Sequence, residues 1–150
     1  MSSTIDYRLA KRAVVRRLVN GELSTDEVCD AHPELLRAST FLGMPTQRSC
    51  PVCQITRGDD LETTRSVPQL VETTWLYGTE LRQKNGHLVE NPADLSHFER
   101  RFPSFRAWTV ECCITCGWNY LIAQRLCGFS HRPGHDLAER TRQMRVSSHE

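Results

Sequence analysis

Two Cys-x-x-Cys pairs, at 50–53 and 113–116, constrain this chain more than any other feature of its sequence. Two residues between the cysteines let one turn aim both sulfurs at a common point. Two such turns can enclose one metal ion in a tetrahedron of thiolates, with metal–sulfur distances of about 2.3 Å. Gly117 directly follows the second pair and suits a backbone that leaves the turn with positive φ. The pattern predicts one structural zinc ion, with the ligands Cys50, Cys53, Cys113 and Cys116.

The composition limits the classes of protein to which the chain can belong. Its 150 residues are 39% hydrophobic and 25% charged, with a formal net charge of +1. We therefore expect a globular protein, either one domain with its own core or a small domain with appendages, without a global charge bias towards nucleic acid or membranes. No apolar stretch approaches the roughly 20 residues that span a bilayer, and the N-terminal residues lack the apolar run of a signal peptide. A cytoplasmic location follows as an expectation, and there seven cysteines favour metal binding over disulfides.

The N-terminal third is predicted to be helical. Apolar residues recur at spacings of three and four from Ile5 to Val19, which indicates an amphipathic helix. Ser24 and Glu27 form a capping box that opens a second helix. A third helix is predicted over Pro33–Phe41, because proline is favoured in a first helical turn.

A basic stripe on the first predicted helix is a candidate nucleic-acid contact, formed by Arg8, Lys11, Arg12 and Arg16. Contact with a phosphate backbone is one interpretation. The other is that the stripe is solvated or pairs with the acidic residues of 21–47. A helix that recognises bases needs polar side chains, and the third helix offers mainly Arg37, Ser39 and Thr40. A DNA-binding regulator of the helix-turn-helix type therefore stays an alternative.

The remainder of the chain is predicted to form a β-ribbon with an insertion. Strands are expected over Leu70–Tyr77 and Phe105–Cys112, which are rich in aromatic and β-branched residues. Between them, Asn91 is expected to cap a short helix that begins at Pro92. Residues 54–112 separate the two cysteine pairs, where a minimal site of this type has only about 15–20 residues. The insertion must therefore be held between the two turns.

Two further elements are predicted towards the C-terminus. Trp118, Leu121, Ile122 and Leu126 recur at helical spacing and predict a core-facing helix that ends at Gly128. A polar tail with a transient helix over Asp136–Met144 is expected to follow. The predicted class is α+β: N-terminal helices over 1–45, a zinc-ribbon-like domain over 46–129 with a helical insertion and a C-terminal helix, and a flexible tail over 130–150.

Other cysteines, histidines and tryptophans are weaker candidates. Cys112 as a ligand would break the two-residue spacing of the second pair. Cys29 and Cys127 lie on apolar stretches predicted as helical, and are interpreted as buried thiols. His87 and His97 fall in the insertion, and substitution of either for a cysteine ligand is a further alternative. The tryptophans are interpreted as core residues, although an exposed one could stack on a base; they are Trp75, Trp108 and Trp118.

Taken together, several of these segments resemble a family of short, uncharacterised cytosolic proteins of high-GC Gram-positive bacteria, known as a domain of unknown function. The resemblance runs from about Tyr7 to Gly128. It rests on Val28-Cys29-Asp30-Ala31 with Pro33 and Leu36-Arg37-Ala38, Cys50-Pro51-Val52-Cys53, Val110-Glu111, Cys113-Ile114-Thr115-Cys116 and Trp118-Asn119. It implies a zinc-ribbon-like protein without an assigned reaction, in which the tail after Gly128 extends beyond the family's end and Cys112 matches no family cysteine.

The predicted site favours a structural over a catalytic role. A catalytic zinc keeps one coordination position open, and four cysteines leave none. The sequence also lacks a glycine-rich phosphate loop and a nucleophile elbow. We therefore expect a non-enzymatic zinc module that docks on transcription or translation machinery, through protein, RNA or DNA, an inference that rests on analogy of fold. A thiol switch that releases zinc on oxidation is the second hypothesis. No membrane or small-molecule partner is indicated.

Overall fold

A computed structural model describes residues 4–57 and 67–131 and shows an α+β fold built on one antiparallel sheet. The strand order is β1-β6-β5-β3-β2, and β4 pairs with the far part of β3. The elements in chain order are β1 Thr4–Asp6, α1 Arg8–Val19, α2 Thr25–Val28, α3 Pro33–Leu42, β2 Met44–Ser49, α4 Pro51–Arg57, β3 Gln69–Tyr77, a 3-10 helix Thr79–Lys84, β4 His87–Leu88, α5 Pro92–Arg101, β5 Phe105–Cys112, β6 Asn119–Cys127 and a 3-10 helix Phe129–His131.

The helix starts follow the capping signals in the sequence. The carboxylate of Glu27 accepts from the backbone N–H of Ser24 at 2.7 Å, which completes the predicted capping box of α2. Asn91 caps α5 by accepting from the N–H of Asp94 at 2.9 Å, as predicted. The first helix begins later than expected, because Thr4–Asp6 forms a short strand that pairs with β6.

The prediction of a helix after the second cysteine pair is wrong. Residues Asn119–Cys127 form the strand β6, which pairs with β5 from Cys112↔Asn119 to Phe105↔Cys127. A bulge opposite Thr109 and Val110 inserts one residue into β6. The bulge breaks the alternation of a regular strand, so the apolar residues of this segment recur at spacings that match a helix. Pairing with β5 overrides that local pattern, since a short apolar run does not by itself distinguish strand from helix.

Both hydrophobic clusters lie on one face of the sheet. One surrounds the cysteine pairs and includes Leu18 of α1, Leu70 of β3 and Trp118. The other lies under α5 and includes Leu76 of β3 and Phe98. On the opposite face, α3 packs against β3 and β5. The cysteine site is therefore part of the core that joins α1 to the sheet.

The predicted division at residues 45 and 129 stays a prediction. β2 crosses residue 45, and β1 pairs with β6, so elements from both sides of that position share one sheet. The predicted transient helix of the tail lies outside the described residues. Within 4–57 and 67–131, no helix has the length and apolar character needed to cross a membrane.

Candidate metal centre

The two cysteine pairs are brought together from different structural contexts. Cys50 directly follows β2, and Cys53 lies in the first turn of α4. Cys113 and Cys116 lie in the turn that connects β5 to β6. Only the second pair therefore lies in a β-hairpin. The first pair is held by a strand-to-helix junction, where the N–H of Gln54 donates to the carbonyl of Cys50 at 3.0 Å.

The four sulfur atoms form a compact group of tetrahedral dimensions. All of them lie within 4.8 Å of one another. The Sγ atoms of Cys50 and Cys116 are 3.6 Å apart, and those of Cys53 and Cys113 are 3.9 Å apart. A tetrahedral ion with metal–sulfur bonds of about 2.3 Å requires sulfur–sulfur separations of about 3.8 Å. These two separations match that value, so the residues present fit a four-thiolate metal site.

Burial and hydrogen bonding give the four sulfurs different protonation properties. A hydrogen bond from the thiol of Cys50 lowers the pKa of Cys113 to about 4, and the N–H groups of Cys116 and Thr115 add to this effect. The same hydrogen bond raises the pKa of Cys50. Burial raises the pKa of Cys53 to about 11. A soft divalent cation would favour thiolates at all these positions, because its charge offsets their mutual repulsion.

The backbone of the second turn is shaped for this site. Gly117 adopts a φ of +89°, as the sequence predicts. The N–H of Trp118 donates to the Cys116 sulfur at 3.3 Å, and the N–H of Cys113 donates to the carbonyl of Trp118 at 2.8 Å. A Cβ at Gly117 would stand 3.1 Å from the carbonyl oxygen of Cys29. Glycine is therefore suited to this position by backbone conformation and by close packing.

A fifth cysteine, missed as a site residue in the sequence analysis, adjoins the group. The thiol of Cys29 donates to the Cys116 sulfur at 3.5 Å. Cys29 lies at the C-terminal cap of α2 and is partly exposed, which corrects its prediction as a buried helical thiol. Burial is the main cause that raises the pKa of Cys29 to about 12. One sequence signal could have identified Cys29 as a site residue: it lies in Val28-Cys29-Asp30-Ala31, one of the segments that carry the family resemblance.

Comparison with known proteins identifies the family. The model of the Family of unknown function (DUF5318) matches residues 1–143. The chain belongs to this family. The DUF5318 match includes residues 129–143, which corrects the expectation that the family ends near Gly128.

Uncharacterised mycobacterial proteins are relatives of this DUF5318 chain. Uncharacterized protein Rv0049 of Mycobacterium tuberculosis is 32% identical over 124 residues, which are 83% of this chain and 81% of the relative. Uncharacterized protein Mb0050 of Mycobacterium bovis has the same identity and coverage. No solved structure matches the chain. These relatives support the predicted occurrence in high-GC Gram-positive bacteria and assign no reaction to the DUF5318 family.

In this DUF5318 protein, the last two cysteines, Cys112 and Cys127, do not belong to the four-sulfur group. Cys112 is fully buried beside Ser39 of α3, on the face of the sheet opposite the metal site. Successive residues of a strand point to opposite faces, which explains how neighbours in sequence reach different environments. Cys127 is buried as predicted, but it lies in β6 and not in a helix.

The basic stripe of α1 divides into one internal residue and three at the surface. The Lys11 ammonium contacts the carboxylate of Glu111 at 2.7 Å, and Glu111 is fully buried. Glu111 also accepts from the indole N–H of Trp118 at 2.8 Å. Lys11 thus belongs to an internal polar network. The surface residues are Arg8, which lies 3.9 Å from Asp6, and the exposed Arg12 and Arg16.

The histidine and tryptophan candidates lie at other places in the fold. His87 contacts Asp94 at 2.7 Å and stacks on Phe98, and His97 lies on the exposed side of α5. Neither histidine belongs to the four-sulfur group. Trp118 is a core residue, as predicted. Trp75 and Trp108 differ from that prediction, because both are half-buried and line a hollow beside α3.

Proposed function

We propose that this protein is a non-enzymatic zinc protein in which one Zn²⁺ is held by the thiolates of Cys50, Cys53, Cys113 and Cys116. The closed group of four sulfurs carries this proposal. Structural zinc is typically four-coordinate and tetrahedral, whereas catalytic zinc retains a position for water or substrate. Cys50, Cys53 and Cys113 are buried, which leaves little access for a substrate at the ion.

The proposed ion would stabilise the junction between the N-terminal helices and the sheet. The cysteines belong to the same hydrophobic cluster as Leu18 of α1, Val52 of α4, Leu70 of β3 and Trp118. A metal that ties α4 to the β5–β6 turn therefore holds the centre of this cluster together. We expect metal binding and folding of this part of the protein to be coupled.

We further propose that the protein docks on a larger assembly of the transcription or translation machinery. The support is an incompletely covered surface around α3, here called the open face, formed by Phe41, Leu42, Trp75, Tyr77 and Trp108. A hollow of about 410 Å³ lies there. Aromatic residues are enriched at protein interfaces and often dominate their binding energy. The choice of machinery rests on an analogy with zinc-ribbon proteins.

Metal analysis tests the zinc proposal. We expect elemental analysis of freshly reduced protein to find one zinc per chain, and X-ray absorption to find four sulfur ligands. Cys113→Ser should lose a sulfur ligand and most of the affinity for zinc. Cys112→Ser is the matched control, since it changes the adjacent buried cysteine, and it should keep one zinc and four sulfurs. Protein without zinc, or loss of a sulfur in Cys112→Ser, would contradict the assignment.

Two matched surface variants test the docking proposal. Phe41 of the open face is 79% exposed, and Leu9 on α1 is 78% exposed. We expect Phe41→Ser to remove co-purification of ribosomal or RNA polymerase components from native cells, and Leu9→Ser to retain it. Both variants should keep their zinc and their melting temperature. Nuclease treatment separates direct protein contacts from those through nucleic acid, and equal capture by both variants would exclude the open face.

The thiol switch is the second candidate function. The specific observation in its favour is the Cys29 thiol, 3.5 Å from the Cys116 sulfur and outside the four-sulfur group. A thiol in this position supplies a partner for an oxidised Cys116. The DNA-binding alternative has weaker support, because Lys11 of the basic stripe is engaged with Glu111.

A further inference from the structure

Two of the seven cysteines share a property that the other five lack. Cys29 and Cys116 are partly exposed, whereas the other five are buried. The same two residues form a close contact, with a sulfur–sulfur distance of 3.5 Å. An oxidant that arrives from solvent therefore meets Cys116 first among the four proposed ligands, and Cys29 lies beside it.

Two hydrogen bonds between neighbouring residues hold the segments that carry Cys29 and Cys116 together. The N–H of Ala31 donates to the carbonyl of Gly117 at 3.0 Å. The side-chain amide of Asn119 donates to the carboxylate of Asp30 at 3.0 Å. These bonds join the two residues that follow Cys29 in sequence to residues that follow Cys116, in the second cysteine turn and at the start of β6. The short distance is therefore a fixed feature of two docked segments and not a chance approach of two mobile side chains.

We propose that Cys29 and Cys116 form an oxidation site, at which a peroxide converts the two sulfurs to a disulfide and removes Cys116 from the metal. This inference rests on the proposed zinc function, because it assigns a role to Cys29 relative to the same ion. It makes Cys29 the resolving cysteine for one ligand of the site.

The chemistry of the step balances with hydrogen peroxide as the oxidant. The Cys116 thiolate attacks one peroxide oxygen, the O–O bond breaks, and a sulfenic acid and one water form after proton uptake. The Cys29 sulfur then attacks the sulfenic sulfur, an S–S bond forms, and hydroxide leaves with the Cys29 proton as a second water. The two sulfurs lose two electrons, and the peroxide is reduced to two waters. A dithiol reductant reverses the step by thiol–disulfide exchange.

The position of Cys29 outside the ligand group distinguishes this pair from the other close sulfur pairs. Cys50 with Cys116, and Cys53 with Cys113, lie at similar distances of 3.6 and 3.9 Å. Both members of each of those pairs are proposed ligands, so a disulfide there would remove two ligands at once. Oxidation at Cys29–Cys116 removes one ligand and leaves three buried thiolates. The affinity for zinc should fall while the core cysteines stay reduced.

The experiment treats zinc-loaded full-length protein with hydrogen peroxide. Zinc release is followed with a chromogenic chelator, and the disulfides are mapped by mass spectrometry after alkylation. We expect a crosslink between the peptides that contain Cys29 and Cys116, formed together with zinc release, and recovery of zinc binding after treatment with a dithiol. Cys29→Ser should lose the crosslink, accumulate sulfinic acid at Cys116 and lose the recovery. Cys127→Ser, a buried cysteine distant from the site, should behave like the wild type.

The outcomes separate this inference from the zinc proposal. Zinc release with Cys29 still alkylatable, or with disulfides only within the pairs 50–53 or 113–116, would overturn the role of Cys29 and leave the zinc site intact. Absence of zinc from the reduced protein would overturn the proposed function. In that case the crosslink in wild-type protein still decides whether Cys29 and Cys116 react with each other. Cys29→Ala provides a second variant if the serine variant misfolds.

Discussion

At the scale of single residues, Gly117 connects backbone conformation to the proposed metal site. Its φ is +89°, and an added Cβ would meet the Cys29 carbonyl oxygen at 3.1 Å. We expect Gly117→Ala to lower the free energy of unfolding by more than the roughly 1–2 kcal/mol that a left-handed conformation alone costs. It should also weaken zinc binding, because the alanine would strain the turn that contains Cys113 and Cys116. Denaturant unfolding and competition with a zinc chelator measure the two effects.

A second glycine separates strain from contact in that prediction. Gly21 also has a positive φ, +75°, but nothing lies within 4 Å of an added Cβ. Gly21→Ala should therefore show the conformational cost alone and leave zinc affinity unchanged. If the two variants lose equal stability and have equal zinc affinities, the close approach of the added Cβ to the Cys29 carbonyl oxygen does not contribute.

Single residues also show which parts of the site could be predicted from local sequence and which could not. The four clustered cysteines were predicted from spacing alone, because two residues between cysteines suit a turn that holds both sulfurs together. Cys29 and Lys11 were not placed, since each is defined by a partner far away in sequence. Cys29 contacts Cys116, and Lys11 contacts Glu111, through docking of the N-terminal helices that no local pattern encodes.

At the scale of elements, the start of α5 is stabilised by a network that responds to pH. Burial alone would raise the pKa of Asp94, but hydrogen bonds from His87 and from the N–H of Glu90 outweigh it and lower the pKa below its ordinary value of 3.8. The group therefore contributes stability above pH of about 3.8, and this contribution disappears as the pH falls through the lower folded pKa. We expect Asp94→Asn to cost up to about 1 kcal/mol at pH 7, the size typical of a carboxylate in the first turn of a helix. The measurement is the free energy of unfolding of both proteins between pH 7 and 3, and their difference should shrink towards pH 3. A constant difference would contradict the role of the Asp94 charge.

The exposed face of α1 is where contact with nucleic acid is predicted. If the exposed Arg12 and Arg16 contact phosphates, Arg12→Glu/Arg16→Glu should weaken binding to RNA or DNA and reduce the slope of log affinity against log salt by about one per lost contact. Arg100→Glu/Arg101→Glu makes the same charge change on α5 and is the control for binding alone, because both residues lie in the last turn of α5 and Arg101 also lies over the Phe102 ring. Fluorescence anisotropy across a salt series measures the slope, and melting temperature should not change. A lower melting temperature with unaltered binding would instead support pairing of the stripe with acidic residues.

The same scale shows why one element was predicted incorrectly. The α2 and α5 starts depend on side chains within four residues, so their capping signals could be recognised locally. β6 depends on eight paired positions in β5 and on a bulge that shifts its apolar residues. The turn that carries the second cysteine pair reverses the chain, and this reversal makes β6 a hairpin partner of β5. Knowledge of that pairing was needed to reject the helical periodicity.

At the scale of the whole molecule, a buried polar network joins the N-terminal helix to the sheet and the cysteine turn. Glu111 of β5 is fully buried and contacts Lys11 of α1, Arg48 of β2 and the indole N–H of Trp118. Removing one member of a buried ion pair costs about 3–5 kcal/mol, because the remaining charge stays desolvated. We expect the loss of stability in Lys11→Met to lie at the lower end of this range. Arg48, 3.4 Å from Glu111, remains there as a second cation.

A double-mutant cycle tests whether this network acts as one unit. Lys11→Met/Glu111→Gln should be more stable than the sum of the two single losses implies, by a coupling energy of about 0.5–3 kcal/mol. The chain's other lysine, Lys84, is exposed, with its ammonium 5.8 Å from the centre of the Phe98 ring, so Lys84→Met should cost no more than about 1 kcal/mol. Denaturant unfolding of the zinc-loaded proteins gives the loss of stability, relative to the wild type, for Lys11→Met, Glu111→Gln, the double variant and Lys84→Met. If Lys11→Met costs no more than Lys84→Met, the contact with Glu111 does not hold α1 to the sheet, and Lys11 is again available as a phosphate contact.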